Sequence, residues 1–260
     1  MIGLRKMKRN LLVFCAAIGL IFAGSKIEDF DIIKYFEGIH SYTEADNDNK
    51  INLDKIPEYS GVPFVKINGN VPSFSDKDKE IIEEYSELDK YGRCGTAFAN
   101  VGKELMPVKA RESIGQVKPS GWHTVKYEKI IKDKYLYNRC HLIAYQLAGE
   151  NANEKNLITG TRYLNVEGML PFENQVANYI RETGNHVLYR VKPVFKGNDL
   201  VARGVQMEAK SLEDNGEGVS FNIYCYNVQP GIRINYKDGS SCPDSKVKAK
   251  RSPKAKKKRK

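Results

Sequence analysis

The chain has 260 residues, of which 41% are hydrophobic, enough for one domain with a substantial core plus extensions. Its formal net charge of +10 is unevenly distributed, because residues 241–260 carry eight Lys and two Arg against one Asp, whereas residues 61–240 carry 24 basic and 22 acidic side chains. This distribution excludes a uniformly basic core, so a polyanion would have to bind a local patch or the basic tail.

The first 25 residues have a basic start, an apolar run from Leu11 to Gly24 and small residues at its end, which is typical of a secretory signal. An uncleaved signal anchor is the alternative, although the run is short for a spanning helix of roughly 20 residues. Cys15 lies in this run without the preceding small residues of a lipoprotein signal. Residues 26–60 contain nine acidic side chains against four Lys, which favours a solvated linker.

From Val62 onwards the pattern predicts an α+β domain over residues 61–240. Ser75 is predicted to cap a helix that runs to about Tyr85. Asn68-Gly69-Asn70 should close the first strand as a turn, and the last three strands should form an antiparallel meander. The predicted strands are Phe64–Ile67, Thr96–Val101, His123–Tyr127, Asn156–Thr159, His186–Phe195, Leu200–Ala209 and Val219–Val228, and the other predicted helices are His141–Leu147 and Pro171–Thr183, which Gly184 should end.

Four cysteines lie outside the apolar N-terminal run: Cys94, Cys140, Cys225 and Cys242. This even number permits two disulfides in an oxidising location, with three pairings open. No C-x-x-C pair is present, which disfavours a structural zinc site.

Residues 135–183 are dense in Asn, Arg, His and Glu. Hydrolysis of a phosphodiester needs a base for the attacking water and a cation against the charge that grows on the phosphoryl oxygens. His141 titrates near neutrality, and an Asn oxygen together with waters suits Mg2+. The alternative is that His141 is structural and the Asn residues cap turns.

The stretch from Asn138 to Glu173 resembles the ββα-metal finger of the DNA/RNA non-specific endonucleases, close to exported DNA-entry nucleases and secreted DNases of Gram-positive bacteria. Asn-Arg-Cys-His at residues 138–141 stands where that family has Asp-Arg-Gly-His. The resemblance extends over roughly residues 61–235 and includes Gly-Arg-Cys-Gly at 92–95, Gly-Trp at 121–122 and Asn-Val-Gln-Pro-Gly at 227–231. It implies a mixed or antiparallel central sheet with flanking helices and a ββα-metal finger.

The resemblance also implies roles for individual residues. His141 corresponds to the general base, and Asn165 to the ligand of one Mg2+, with Mn2+ as an alternative metal. Asn156 would support the geometry of the site or the scissile phosphate, and Glu173 would hydrogen-bond waters on the metal. Arg139 would contact phosphate or lock the finger.

Two positions depart from the family motif. Asn138 replaces Asp, which removes a charge that could have oriented a neighbour or tuned His141. Cys140 replaces Gly, so this position does not require a positive φ. Neither change removes the base or the metal ligand, so activity is expected.

Basic side chains that flank a probable loop before the predicted strand at His123, together with Arg162 and Arg181, are candidates for phosphate contact. The candidates are Lys103, Lys109, Arg111, Lys118, Lys126, Arg162 and Arg181. No base-reading motif is visible, so sequence preference should be weak. His40, His123 and His186 fit structural or linker positions better than a zinc site with Cys140.

Together these features predict an exported, Mg2+-dependent, sequence-non-specific endonuclease that cleaves DNA, with RNA as a second substrate left open. The alternative from another class is a secreted, non-catalytic protein that binds DNA or another polyanion through its Lys-rich tail, residues 241–260. An antibacterial toxin is a third hypothesis, which no partner-binding motif supports. The only membrane contact expected is through an uncleaved N-terminal anchor, and no protein partner can be deduced.

Overall fold

The computed structural model describes residues 51–245, which form an α+β fold whose paired strands are all antiparallel. The signal segment, most of the acidic linker, the basic tail from residue 246, Cys15 and His40 lie outside the described residues. The strands are β1 Phe64–Lys66, β2 Glu83–Tyr85, β3 Ala97–Val101, β4 Tyr137–His141, β5 Leu157–Thr161, β6 Val187–Val194, β7 Gly204–Ser211, β8 Ser220–Tyr226, β9 Ile232–Ile234 and β10 Ser241–Pro243.

Six strands form the central sheet in the order β1-β8-β7-β6-β3-β2. The register pairs Val191 with Met207 and Met207 with Ile223, so β6, β7 and β8 form the antiparallel meander that the sequence predicts. Two smaller ribbons, β4 with β5 and β9 with β10, lie outside this sheet.

Helices are few in the described chain. Helix α1 is Tyr145–Ala148 and helix α2 is Leu170–Thr183, and a π-helical segment, Leu164–Met169, leads directly into α2. Pro171 lies in the first turn of α2 and Gly184 ends it with φ 77°, as predicted. Short 3-10 helices cover Leu53–Lys55, Asn68–Asn70, Asp76–Glu80 and Glu154–Asn156.

Both faces of the sheet are covered, which explains why nearly every residue of β8 is buried. Helix α2 packs on one face, where the Phe172 ring lies 4.8 Å from Phe64 and 5.0 Å from Phe221. The opposite face carries Tyr224 and Tyr226, which pack against the segment 51–59 through Ile51, Leu53, Ile56 and Tyr59. Part of the segment expected as a solvated linker therefore packs, partly buried, against the core.

The helix predicted from Ser75 to Tyr85 is wrong beyond its first turn. Ser75 and Asp78 do form the predicted cap, but the helix is a 3-10 turn that ends at Glu80, and β2 follows. Ile82, just beyond this turn, is 68% exposed. Residues 83–85 instead pair with β3 and form the edge strand of the sheet.

The strand predicted over His123–Tyr127 is also wrong, because a single bridge between Lys126 and Tyr135 is all the pairing that this segment makes. The predicted strand from Leu200 begins only at Gly204. The helix predicted from His141 is wrong at its start, since His141 is the last residue of strand β4 and the helix begins at Tyr145. The sequence YNRCH of β4 lacks the alternation of apolar and polar residues that predicts a strand. Backbone pairing with β5 makes this segment extended.

None of the four described cysteines forms a disulfide: Cys94, Cys140 and Cys225 are buried free thiols, and Cys242 is an exposed one. Over residues 51–245, no helix is long and apolar enough to cross a membrane.

Candidate active site

The candidate site is built on the β4–β5 ribbon and the helix that follows it. The register pairs Asn138 with Gly160, Cys140 with Ile158 and His141 with Leu157. A Cβ atom on Gly160 would lie 2.2 Å from the Cys140 Sγ. The Cys140 side chain therefore fits only because residue 160 is a glycine. Two strands followed by a helix reproduce the expected finger arrangement.

His141 lies at the end of β4, where its ring is held in one orientation and is only 6% exposed. The Nε2 atom is 2.8 Å from the Asn151 backbone oxygen. Because a carbonyl only accepts, Nε2 carries the proton, and the lone pair of the neutral ring is on Nδ1. Burial lowers the pKa of His141, the Asn151 carbonyl raises it, and the positive charge of Arg111 lowers it further. His141 is therefore neutral near pH 7 and can accept a proton at Nδ1.

The Arg111 guanidinium donates a hydrogen bond to this lone pair, with its Nη2 atom 3.3 Å from His141 Nδ1. Its charge also acts on Glu173, whose pKa it lowers against the effect of burial. Arg111 thus links the strand-end histidine to the buried carboxyl group of α2. The sequence indicated Arg111 only as one of several phosphate contacts, and 30 residues of separation carry no signal for its contact with His141.

Asn156 positions the chain after His141. Its side chain is fully buried, with Oδ1 accepting from Ile143 N at 2.8 Å and Nδ2 donating to Ile143 O at 3.0 Å. Its backbone oxygen accepts from Leu142 N. Both functional atoms of this buried side chain are used within the protein, which favours a role in the geometry of the site over contact with phosphate.

Arg139 fastens the loop that covers β4. Its Nε donates to the Val117 oxygen and its Nη2 donates to the Gly115 oxygen, while its guanidinium carbon lies 4.0 Å from the centre of the Trp122 ring. Of the two roles considered for Arg139, these contacts support locking rather than phosphate contact. Trp122, which stacks on it, was not predicted as part of the site.

Asn165 lies in the π-helical segment and Glu173 in α2, eight residues further on. In a regular α-helix this separation is about 2.2 turns, which would offset the two side chains by about 80°. A π-turn takes one more residue, so the same eight residues span about 1.9 turns and the side chains lie on nearly the same side. The residue pattern predicted the helix only from Pro171, whereas the family resemblance places Asn165 on the finger helix; neither indicated a π-helical segment.

The chemistry of Asn165 and Glu173 fits a hard divalent cation. Within residues 51–245 the Asn165 amide has no hydrogen-bond partner, so its oxygen is available as a ligand. Burial raises the pKa of Glu173 to about 8, and a nearby cation would favour its charged form. No group of three or more His, Cys, Asp or Glu side chains in the described chain could hold a metal, so waters and substrate would complete the shell.

The two departures from the motif are accommodated locally. The Asn138 Oδ1 atom is buried without a hydrogen-bond partner in the described structure. A neutral amide is less costly there than the carboxylate of an Asp would be. Cys140 fits because Gly160 lies across the ribbon.

The remaining predicted basic residues lie in different surroundings. The Lys109 backbone oxygen accepts from the Tyr145 hydroxyl, beside α1, and the Lys118 side chain is exposed. Arg162 forms an ion pair with Asp133 at 2.5 Å. Arg181 is exposed near the end of α2, about 12 Å along the helix from Glu173 at 1.5 Å per residue. Of this set, only Arg111 contacts His141 directly.

His123 and His186 do not contribute to the candidate site. His123 Nε2 forms a hydrogen bond with the Asp238 backbone oxygen, and the His186 ring contacts the carboxylates of Glu104 and Glu213. No zinc site with Cys140 is formed in the described chain.

Comparisons with known proteins agree with this geometry. The family model described as DNA/RNA non-specific endonuclease matches residues 72–213. No curated protein sequence matches the chain. Among solved structures, NucA from Streptococcus agalactiae with magnesium bound is 25% identical, with a TM-score of 0.60 over 69% of this chain and 86% of that chain.

Two further structures are similar. NucA from Streptococcus agalactiae with no metal bound is 25% identical, with a TM-score of 0.62 over 74% of this chain and 92% of that chain. The Sda1 nuclease with a bound zinc ion is 28% identical, with a TM-score of 0.54 over 62% of this chain and 81% of that chain. Because the family model covers more than half of the 260 residues, the chain belongs to the DNA/RNA non-specific endonuclease family.

Proposed function

We propose that this chain is an exported endonuclease that uses a divalent cation, Mg2+ in the first place, to hydrolyse phosphodiester bonds in DNA, with RNA as a second substrate. The observation that carries the proposal is His141, a buried neutral histidine whose Nε2 proton is held by a backbone carbonyl. Export rests on the signal-like pattern of residues 1–25. Family membership and the metal-bound relatives support nuclease activity with a metal.

In the proposed reaction, His141 Nδ1 accepts a proton from the attacking water. The Asn151 carbonyl holds the ring and stabilises the imidazolium that forms. Arg111 donates to Nδ1 at 3.3 Å, so the attacking water would replace this hydrogen bond as the guanidinium turns to the phosphate, where it would stabilise the charge on the phosphoryl oxygens.

The metal would be held by the Asn165 amide oxygen, with Glu173 positioned to hydrogen-bond its waters. A bound divalent cation would neutralise the charge that develops on the phosphate and on the leaving oxygen. Asn156 and Arg139 act as positioning residues, the first on the chain after His141 and the second on the covering loop.

Cleavage of supercoiled plasmid by the His141→Ala variant tests the proposal. The loss of a general base is typically worth about 10²- to 10⁴-fold, so we expect at least a hundredfold slower cleavage from a protein that still folds and binds DNA. His123→Ala is the matched control, because this exposed histidine contacts the Asp238 carbonyl outside the site.

Two arms of the same assay test the metal. A chelator should abolish wild-type cleavage, and Asn165→Ala should need much more Mg2+ for any residual activity. A His141→Ala protein with lowered melting temperature but a normal rate would show that the histidine is structural. Cleavage that persists in chelator would remove the metal from the proposal.

A further inference from the structure

Within residues 61–240, the excess of basic over acidic side chains comes from one stretch of the chain. Residues 103–139 hold nine basic and four acidic side chains, whereas the rest of residues 61–240 holds fifteen basic and eighteen acidic ones. A net excess of five positive charges in 37 residues can hold a polyanion on an otherwise slightly acidic domain.

From Arg111 onwards this stretch runs beside strand β4, starting next to His141. Arg111 Nη2 lies 3.3 Å from His141 Nδ1, at the end of the strand. A few residues later, the Val117 carbonyl accepts from Arg139, two residues back along the strand.

The stretch then reaches the beginning of the same strand. Leu136 N donates to the Val125 oxygen at 3.1 Å, and Lys126 is bridged to Tyr135. The order of contacts is therefore the reverse of the order along β4. Six residues separate Tyr135 from His141, so the two ends of the path lie about 20 Å apart at about 3.4 Å per residue.

The far end of this path is a turn between Lys126 and Tyr135 that carries four exposed lysines. We call them the distal lysines: Lys126, Lys129, Lys132 and Lys134. None of them forms an ion pair within residues 51–245, and Lys126 Nζ lies 4.9 Å from the centre of the Tyr135 ring. Of the two acidic residues in the turn, Asp133 is engaged by Arg162 at 2.5 Å. The distal lysines thus keep their charge available.

We propose that the distal lysines bind the phosphate backbone of duplex DNA about 20 Å from His141. At about 3.4 Å per base pair, they meet the duplex about six base pairs from the bond that is cut. The inference rests on the proposed function and deepens it by adding a second contact with the substrate, away from the cleaved bond. Lysines act here as point charges and position the duplex without reading its sequence.

Binding measured in chelator tests this site separately from cleavage. The full chain carrying Lys126→Gln, Lys129→Gln and Lys132→Gln is compared with wild type by fluorescence anisotropy on a duplex of about 30 base pairs. For each phosphate that the variant no longer neutralises, the slope of log affinity against log salt should flatten by about 0.9. Between 50 and 200 mM salt, the variant should then lose about 3.5-fold less affinity than the wild type for each such phosphate.

A matched control removes the same charge elsewhere, through Lys77→Gln, Lys90→Gln and Lys196→Gln, which are exposed and lie outside the stretch. The control should keep the wild-type slope. On a loop-closed duplex of about four base pairs, which at about 3.4 Å per base pair is only about 14 Å long and cannot reach from His141 to the turn, the distal variant should differ much less from wild type in affinity than on the long duplex.

Equal slopes for the distal and control variants would overturn the distal site, as would equal reductions in affinity on the short and long duplexes. Failure of the proposed function looks different, because the wild type would then bind DNA in chelator yet leave it uncut in Mg2+.

Discussion

His141 acts as a base only if its ring is neutral near neutral pH, which depends on its burial, on Arg111 and on the Asn151 carbonyl. Burial and the Arg111 charge lower its pKa, and the Asn151 carbonyl raises it. The carbonyl also selects the tautomer, since it leaves Nδ1 without a proton. The same residue type elsewhere in the chain behaves differently: the carboxylates of Glu213 and Glu104 raise the pKa of His186.

Arg111→Gln should move the acid limb of the pH profile. Removing a positive charge 3.3 Å from Nδ1 removes one cause of the lowered pKa, so the pKa of His141 should rise and the acid limb of kcat/KM should shift to higher pH. Arg111→Lys keeps the charge and should leave the limb near its wild-type position. A slower Arg111→Gln enzyme with an unmoved limb would show that Arg111 acts only on the substrate.

At the scale of elements, the β4–β5 ribbon and the π-helical segment bring the candidate residues together. The ribbon places His141 at the end of β4, and the π-helical segment carries Asn165 directly into the helix that holds Glu173. π-turns in helices occur frequently at functional sites. Close contact within the ribbon also depends on one pair, Cys140 and Gly160.

A double-mutant cycle on that pair tests the packing. Gly160→Ala should lower the free energy of unfolding by about 1–3 kcal/mol, because the new Cβ would lie 2.2 Å from the Cys140 Sγ. In a Cys140→Gly background this sulfur is gone, so the same substitution should cost at least about 1 kcal/mol less. Urea unfolding of the four proteins measures the coupling. Purely additive costs would place the clash elsewhere, for instance at Leu164 Cδ2, 3.3 Å away.

The elements that the sequence predicted well are those with their own local signal. The meander alternates apolar and polar residues between Gly- and Asn-containing turns, and α2 has Pro at its start and Gly at its end. β4 was missed because its residues show no alternation, and its pairing with β5 is a contact between segments about 20 residues apart. The helix from Ser75 failed because edge pairing with β3 outweighed local propensity.

At the scale of the whole molecule, most of the net positive charge lies in the C-terminal tail and not in the folded core. The described core is nearly neutral outside residues 103–139, and residues 246–260 carry ten basic side chains. A basic tail of this kind provides affinity for any polyanion, whereas the position of the cut depends on the site beside His141.

Truncation at residue 245 should therefore change affinity and leave chemistry intact. The rate at saturating DNA should stay at the full-length value, while the slope of log affinity against log salt flattens by about 0.9 for each phosphate that the tail neutralises in the full chain. Titrations of duplex DNA over a range of salt, made with both proteins, measure this. A slope identical to that of the full chain would give the tail another role, such as attachment to a cell surface.

The sequence by itself determined the family, the α+β class and the identity of the base and metal ligand as candidates, because the motif around His141 and the meander are written in contiguous residues. Only the tertiary structure decided that Arg111 lies against His141, that Asn156 and Arg139 hold backbone, and that Asn165 lies in a π-helical segment leading into the helix of Glu173. Those relations depend on contacts between distant segments and on one extra residue in a helical turn, and neither leaves a periodic signal in the chain.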